Sequence, residues 1–443
     1  MNSEQREAVA RRVLELSNAT QTEVLVASGS SELTRFTRNA VHQNVAQADV
    51  AVKVRAILDH RTGVASTNLL DDASLRKVVE DAIALANLAP EDPEQPMLPS
   101  GGPTIAPEGG YAEQTAHASA HLRAQMADAV FKTAEEYQYW CAGYVTTDCE
   151  GVTICNSSGA RASFDGTTAG INVKMTAADS SGFAETYDND VTRIDAHAVG
   201  RTSAQKAYDS RDPETVEPGK WTVILEPPAF GELLAYLADH FSAQSYDEGS
   251  SFLSDGLDKS YLGENVTIGD DYAHPLAPGQ PFDYEGQATQ RLTLIGNGIA
   301  KNIVTDSYWA HKLDRENTGH ALPAPNAYGP QATHLVVTPG SKPVNELIAE
   351  TKRGLLITRF WYIRPVDQKK AIVTGMTRDG TFLIENGEIV RGVRNMRFNQ
   401  SIIEALRSCE FSNALHRTGG YSYSLVVPAA KIEGFTFSSG TEF

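Results

Sequence analysis

The chain has 443 residues, with 38 Lys and Arg against 56 Asp and Glu, a formal charge of −18 at neutral pH and 41% hydrophobic residues. That length calls for more than one core, and the acidity argues against direct nucleic-acid binding, which depends on neutralising phosphates. No apolar run is long enough to cross a bilayer, and the start Met-Asn-Ser-Glu-Gln-Arg-Glu lacks both the basic region and the apolar core of a secretory signal. Cys141, Cys149, Cys155 and Cys409 form no Cys-x-x-Cys pair and read as small buried hydrophobes with reduced thiols, in a cytoplasmic protein.

Residues 5–17 are rich in Glu, Ala, Arg and Leu and predict a helix. Strands are expected at 23–28, 32–37, 41–46 and 49–58, the last alternating at period two. Asp71 to Ser74 offers cap chemistry for a helix at 75–88. Six prolines within 89–110 mark a linker or strap, so an α+β domain is expected over 1–88 and a Pro-rich linker over 89–112. A helix at 113–138, strands at 142–155 and 160–176 and a helix at 192–208 form a middle section, 113–215, that packs with the N-terminal domain. From 216 to 443 the chain is β-rich with few helices. Asp379-Gly380 and Asn386-Gly387 are hairpin signals there, and Asn297-Gly298 is a turn signal. The fold class is therefore α+β: an N-terminal α/β region of sheet plus helices, then a closed or strongly curved sheet system.

Phe230, Leu233, Leu234, Leu237 and Phe241 recur at helical spacing and predict one helix over 230–241, with Pro228 in its first turn. On that helix Tyr236 and His240 are four residues apart and share a side, which suits a hydrogen-bonded or stacked pair. Asp270-Asp271-x-x-His274 is a carboxylate–imidazole grouping, more simply a turn before Pro275. Asp314-Arg315-Glu316-Asn317 reads as a surface turn. Gly249-Ser250-Ser251 is not a nucleophile elbow.

Several stretches, taken in order, resemble the TldD/PmbA family, whose first described members are modulators of DNA gyrase. They include Arg35-Phe36-Thr37-Arg38-Asn39, Gly63-Val64-Ala65-Ser66-Thr67-Asn68, Asn156-Ser157-Ser158-Gly159, Phe282-Asp283-Tyr284-Glu285-Gly286 and Asn317-Thr318-Gly319-His320-Ala321. In TldD-type members the helix carries His-Glu-x-x-x-His, and a late Cys follows in a Thr-Cys-Gly context. Laid on this chain, the ligand and base positions fall on Ala235, Tyr236 and His240, and the Cys on Gly419. His240 alone keeps a ligand-type side chain, whereas catalytic zinc takes about three protein ligands and a base. The resemblance is therefore to the TldE (PmbA) branch and implies a barrel-like C-terminal domain and no catalytic or metal residues here. It further implies a TldD-like partner subunit that holds zinc, a peptide substrate, and a homodimer when the chain is alone. Sheet edges near 331–338 and 421–427 are expected to grip the peptide. Two other readings stay open: an active zinc metallopeptidase, and a non-enzymatic regulator of DNA gyrase or of a toxin–antitoxin pair.

Overall fold

In the computed structural model, which describes residues 1–419 and 424–441, two separate stretches of chain build one antiparallel sheet of order β3-β2-β1-β4-β5-β6. Its strands are β1 (Gln21–Thr37), β2 (Ala40–Leu58), β3 (Arg61–Thr67), β4 (Trp140–Asn156), β5 (Arg161–Thr176) and β6 (Ser181–Asp188). The separate strands expected between 23 and 58 are instead two long continuous arms. They turn at Arg38 and Asn39, both at positive φ, the two-residue geometry whose twist matches that of a hairpin. Beyond the reach of β3, residues 40–49 of β2 are exposed on both faces.

Alternation divides the sheet into two working faces. Val24, Val26, Val52 and Val54 point to α1 (Ser3–Leu16) and α2 (Asp72–Leu88), meeting Val13, Leu75 and Val79. Asn2 and Gln5 form a reciprocal capping box at α1, and Asp71 caps α2 by accepting from the Ser74 N–H. The single helix expected over 113–138 is two, α3 (Glu113–Ala116) and α4 (Ala120–Tyr137), because Ser119 restarts the helix by accepting from the Leu122 N–H. α4 and α5 (Ala196–Asp209) cover the rest of that face through Val130, Val199, Ile171 and Phe36. On the opposite face Leu25, Val152, Ile154 and Phe164 receive Phe282 from the second half of the chain.

That second half holds β7 (Gly219–Leu225), α6 (Pro227–Ala235), β8 (Ile268–Asp270), β9 (Leu292–Gly296), β10 (Ile299–Ala300), β11 (His334–Val337), β12 (Arg353–Asp367), β13 (Ile372–Glu385), β14 (Glu388–Gly392), β15 (Met396–Ser401), β16 (Cys409–Phe411), β17 (His416–Thr418), β18 (Ser424–Val427) and β19 (Ala430–Gly440). A second sheet runs β10-β9-β8-β11-β18-β17. In the third, β12, β7, β19, β15 and β13 pair in succession and β13 returns to β12. The closure is ring-like rather than a regular barrel, since β12 and β13 lose register in three places. Phe360, Phe398, Phe435 and Phe437 stack in its core.

Asn386-Gly387 does close a hairpin, between β13 and β14, and Asn297-Gly298 closes one between β9 and β10. Asp379-Gly380 does not. Both residues sit at positive φ inside the continuous β13, where pairing with β12 skips from Arg378 to Thr381. The resulting bulge aims the buried Asp379 carboxylate at Arg359, at Lys174 of β5 (3.0 Å) and at the Ser181 hydroxyl of β6 (2.8 Å). A turn signal has become a polar clasp between the first and third sheets.

Candidate functional site

Pro227 and Pro228 open α6, where a missing N–H leaves nothing unpaired. The helix expected to reach residue 241 stops at Ala235, and residues Ala238–Phe241 form a 3₁₀ turn. The Tyr236 and Leu237 N–H groups donate to carbonyls three residues back, on Leu233 and Leu234, at 3.1 and 2.8 Å. This tighter winding redirects the following side chains, and the expected Tyr236–His240 pair is not made. The Tyr236 hydroxyl donates to the Ile363 carbonyl at 2.7 Å. The His240 ring packs on Phe252, centroids 5.1 Å apart, and its Nδ1 accepts the Phe252 N–H at 3.4 Å. Burial in that apolar setting pushes its pKa down to about 4.

Between the first sheet and the second half of the chain lies a cavity of about 1290 Å³. Ala235, Tyr236 and Gly419 stand on its wall, while His240 does not. The folding therefore brings together three of the four family positions and leaves the retained histidine in the core.

Gly419 meets a neighbour that the sequence did not announce. A Cβ placed there would lie 2.2 Å from Cζ and 2.5 Å from the hydroxyl oxygen of Tyr187, on β6. Gly170 of β5 leaves room on the ring's other side, where a Cβ would come within 2.5 Å of Cδ1. Tyr187 is held in that slot by its hydroxyl, 3.1 Å from the Tyr144 hydroxyl and donating to Glu185 at 3.3 Å. The residues at the family's ligand positions do not fit a metal: Ala235 and Gly419 have no donor atom, Tyr236 is bonded to the backbone, and His240 faces elsewhere. Among the described residues no group of three or more His, Cys, Asp or Glu could hold such an ion.

The Asp270-Asp271-x-x-His274 grouping separates in the structure. Asp271 pairs with Arg291 at 2.8 Å, and the His274 Nδ1 accepts the Leu276 N–H at 3.3 Å. Asp270 turns inward instead. One of its oxygens accepts the His334 N–H at 3.0 Å and the other lies 3.4 Å from the His320 Nε2. His320 and His334 both line the cavity.

Other wall residues carried no sequence signal that the spacing rules detect. Glu232, on α6, accepts the Phe360 N–H at 2.9 Å, and burial raises its pKa to about 8 against the opposing pull of Arg359. Glu185 is also raised by burial. On β12 pairing lapses between Trp361 and Arg364, and Tyr362 stands exposed at φ +57°. Such an outlier in a bulky residue is strained, and strain of this kind collects at functional sites. Arg364 covers the Tyr362 ring at 4.2 Å and Arg378 the Trp361 ring at 4.4 Å, giving the wall a cationic–aromatic ledge.

The edges expected to grip a peptide need correction. β11 lies between β8 and β18, and β18 between β11 and β17, so both spend their backbone groups on neighbouring strands. Residues 421–423 lie outside the described residues. The terminal strands of their sheets that face the cavity are β6 and β17, which contribute Phe183, Glu185, Tyr187, Arg417 and Thr418.

Two family models match the chain: the PmbA/TldA metallopeptidase C-terminal domain over residues 218–439 and metallopeptidase domain 1 of the same family over residues 22–86. A Haemophilus influenzae protein described as a metalloprotease PmbA homolog is 25% identical over 403 residues, 87% of this chain and 86% of its own. An uncharacterized Methanocaldococcus jannaschii protein is 29% identical over 223 residues, so the chain spans only about half (50%) of that relative's length. The crystal structure of TldE from Thermococcus kodakarensis superposes with a TM-score of 0.89 at 20% identity, covering 98% of this chain and 99% of the other.

Proposed function

The chain belongs to the PmbA/TldA metallopeptidase family, and from that premise we propose that it is the metal-free half of a two-subunit peptidase. A TldD-like subunit supplies zinc, its ligands and the general base. This chain completes the chamber and holds an extended peptide in it. The carrying observation is the Tyr187 ring seated where a side chain at position 419 would have to stand. The size of the cavity and the ledge at Trp361 and Tyr362 support a peptide as its occupant. No helix among the described residues is long and apolar enough to cross a membrane, and all four cysteines are free. Both fit a cytoplasmic assembly, with a second copy taking the partner's place when the TldD-like chain is missing.

The test is co-purification with a TldD-like chain from the same host, followed by metal analysis and peptide cleavage on each separated subunit. Zinc and residual activity should stay with the partner, and cleavage should return on mixing. If the isolated chain alone cleaves oligopeptides and a chelator stops it, the proposal is wrong.

A further inference from the structure

Arg417 of β17 reaches the cavity wall half-buried, and among the described residues no carboxylate lies within ion-pair distance of it. Among the described residues its one side-chain hydrogen bond runs from Nη1 to the Asn189 Oδ1 at 2.6 Å. Asn189 is itself fixed. It is buried, and its amide nitrogen donates to the carbonyls of Gly110, Thr167 and Pro278, at 3.1, 2.7 and 3.3 Å. The amide oxygen is thereby left to aim the guanidinium. A guanidinium has five N–H donors in a planar fork, and among the described residues Arg417 engages one nitrogen of its three.

The charges around this fork do not neutralise it. Asp188 of β6 exerts the largest pull on it, but lies 3.8 Å from Arg193 and accepts the Asp190 N–H. Glu150 and Tyr187 add a weaker pull from the cavity wall. Burial lowers the Arg417 pKa overall, the reverse of what a bonded carboxylate would do. His334 lies in the field of the Asp270 carboxylate as well as those of His320 and Arg417, so Arg417 and the His334–Asp270–His320 cluster share one region. In that region the Gln331 Oε1 is buried with no hydrogen-bond partner among the described residues, and Gln331 lines the cavity. Unsatisfied buried polar atoms call for an explanation.

We propose that Arg417, aimed by Asn189, is a carboxylate-binding subsite of the peptide chamber, with the Gln331 Oε1 beside it as an acceptor for a peptide N–H. The inference rests on the peptide reading given above. A carboxylate matches the fork with two parallel N–H···O bonds and one negative charge. A doubly charged phosphate fits worse, since Asp148, Glu150, Glu185 and Glu232 line the same space. The carboxylate is either the C-terminus of the peptide or an acidic side chain within it.

Three fluorescent peptides of equal length decide the matter: a neutral sequence with a free C-terminus, the same sequence amidated, and the amidated sequence with one internal Glu. Anisotropy titrations use the full chain and its Arg417→Gln and Arg417→Lys variants. The wild-type chain should bind one or both carboxylate peptides at least tenfold more tightly than the neutral amide, and which one identifies the source. Arg417→Gln should abolish that preference without weakening the neutral amide, and Arg417→Lys should restore part of it. Equal wild-type affinity for all three peptides overturns the subsite while leaving the peptide chamber intact, and needs no variant to fold. Absence of any binding overturns both. An unchanged preference in Arg417→Gln removes the role from this residue.

Discussion

Glu232 offers the sharpest physical test, because its environment opposes its ordinary charge. An exposed glutamate titrates near 4.5, whereas burial at its place on α6 lifts this one to about 8. Between those values the folded chain keeps a proton that the unfolded chain releases. Stability therefore falls as pH rises from 4.5 to 8 and is constant beyond. From 4.5 up to pH 7, at about 1.4 kcal/mol for each pH step, the penalty reaches an upper bound of about 3 kcal/mol. Glu232→Gln keeps the shape and the acceptor for the Phe360 N–H but never ionises. At pH 7 the variant should be about 1–3 kcal/mol more stable than the parent, and the two should converge at pH 4.5. Urea midpoints at several pH values measure this, given an unchanged slope in denaturant. A variant that is less stable at pH 7, or that shows the parent's pH dependence, refutes the reasoning.

Three further outcomes follow from contacts described above. Gly419→Cys should lose about 1–3 kcal/mol by driving into Tyr187, and Tyr187→Ala in the same chain should recover most of it; a double-mutant cycle that comes out additive would show that the two positions do not meet. His240→Asn should leave assembly and peptide cleavage by the two-subunit complex unchanged. Because the folded pKa of His240 is near 4 and an ordinary histidine titrates near 6.5, the parent loses stability as pH falls from 6.5 to 4, up to about 3 kcal/mol, and the variant should lack that loss in denaturation curves. Arg55 bridges Glu23 at 2.6 Å and Glu285 at 3.1 Å, joining the first sheet to the second half. Arg55→Met strands two buried acids and should cost about 3–5 kcal/mol in unfolding experiments near neutral pH, and a change below 1 kcal/mol would mean the bridge is spectator chemistry.

Much of the fold was written in local patterns. The alternation of 49–56, the cap at Asp71 and the paired prolines before α6 each report a backbone preference that tertiary contacts leave in place. The break after Ala235 was hidden, because Leu237 and Phe241 keep an apolar stripe whether the chain winds as α or 3₁₀. Asp379-Gly380 carries the same dipeptide chemistry in a bulge as in a hairpin, and only the partner strand distinguishes them. The site was less legible still. Glu232 left one trace, an acid set within the apolar run Phe230 to Leu234. Tyr187 and Arg417 left none, since their roles depend on β6 meeting β17 across more than two hundred residues.

The first sheet has a cost in time as well as in space. β1 must find β4, with Glu23 opposite Asn156, so during synthesis the hairpin of β1 and β2 emerges long before the strand that completes its centre. Until then the inner edge of β1 offers a row of unpaired backbone groups to any passing strand, and pairing so remote is slow. Until β4 is made, the hairpin of β1 and β2 is therefore open to mispairing.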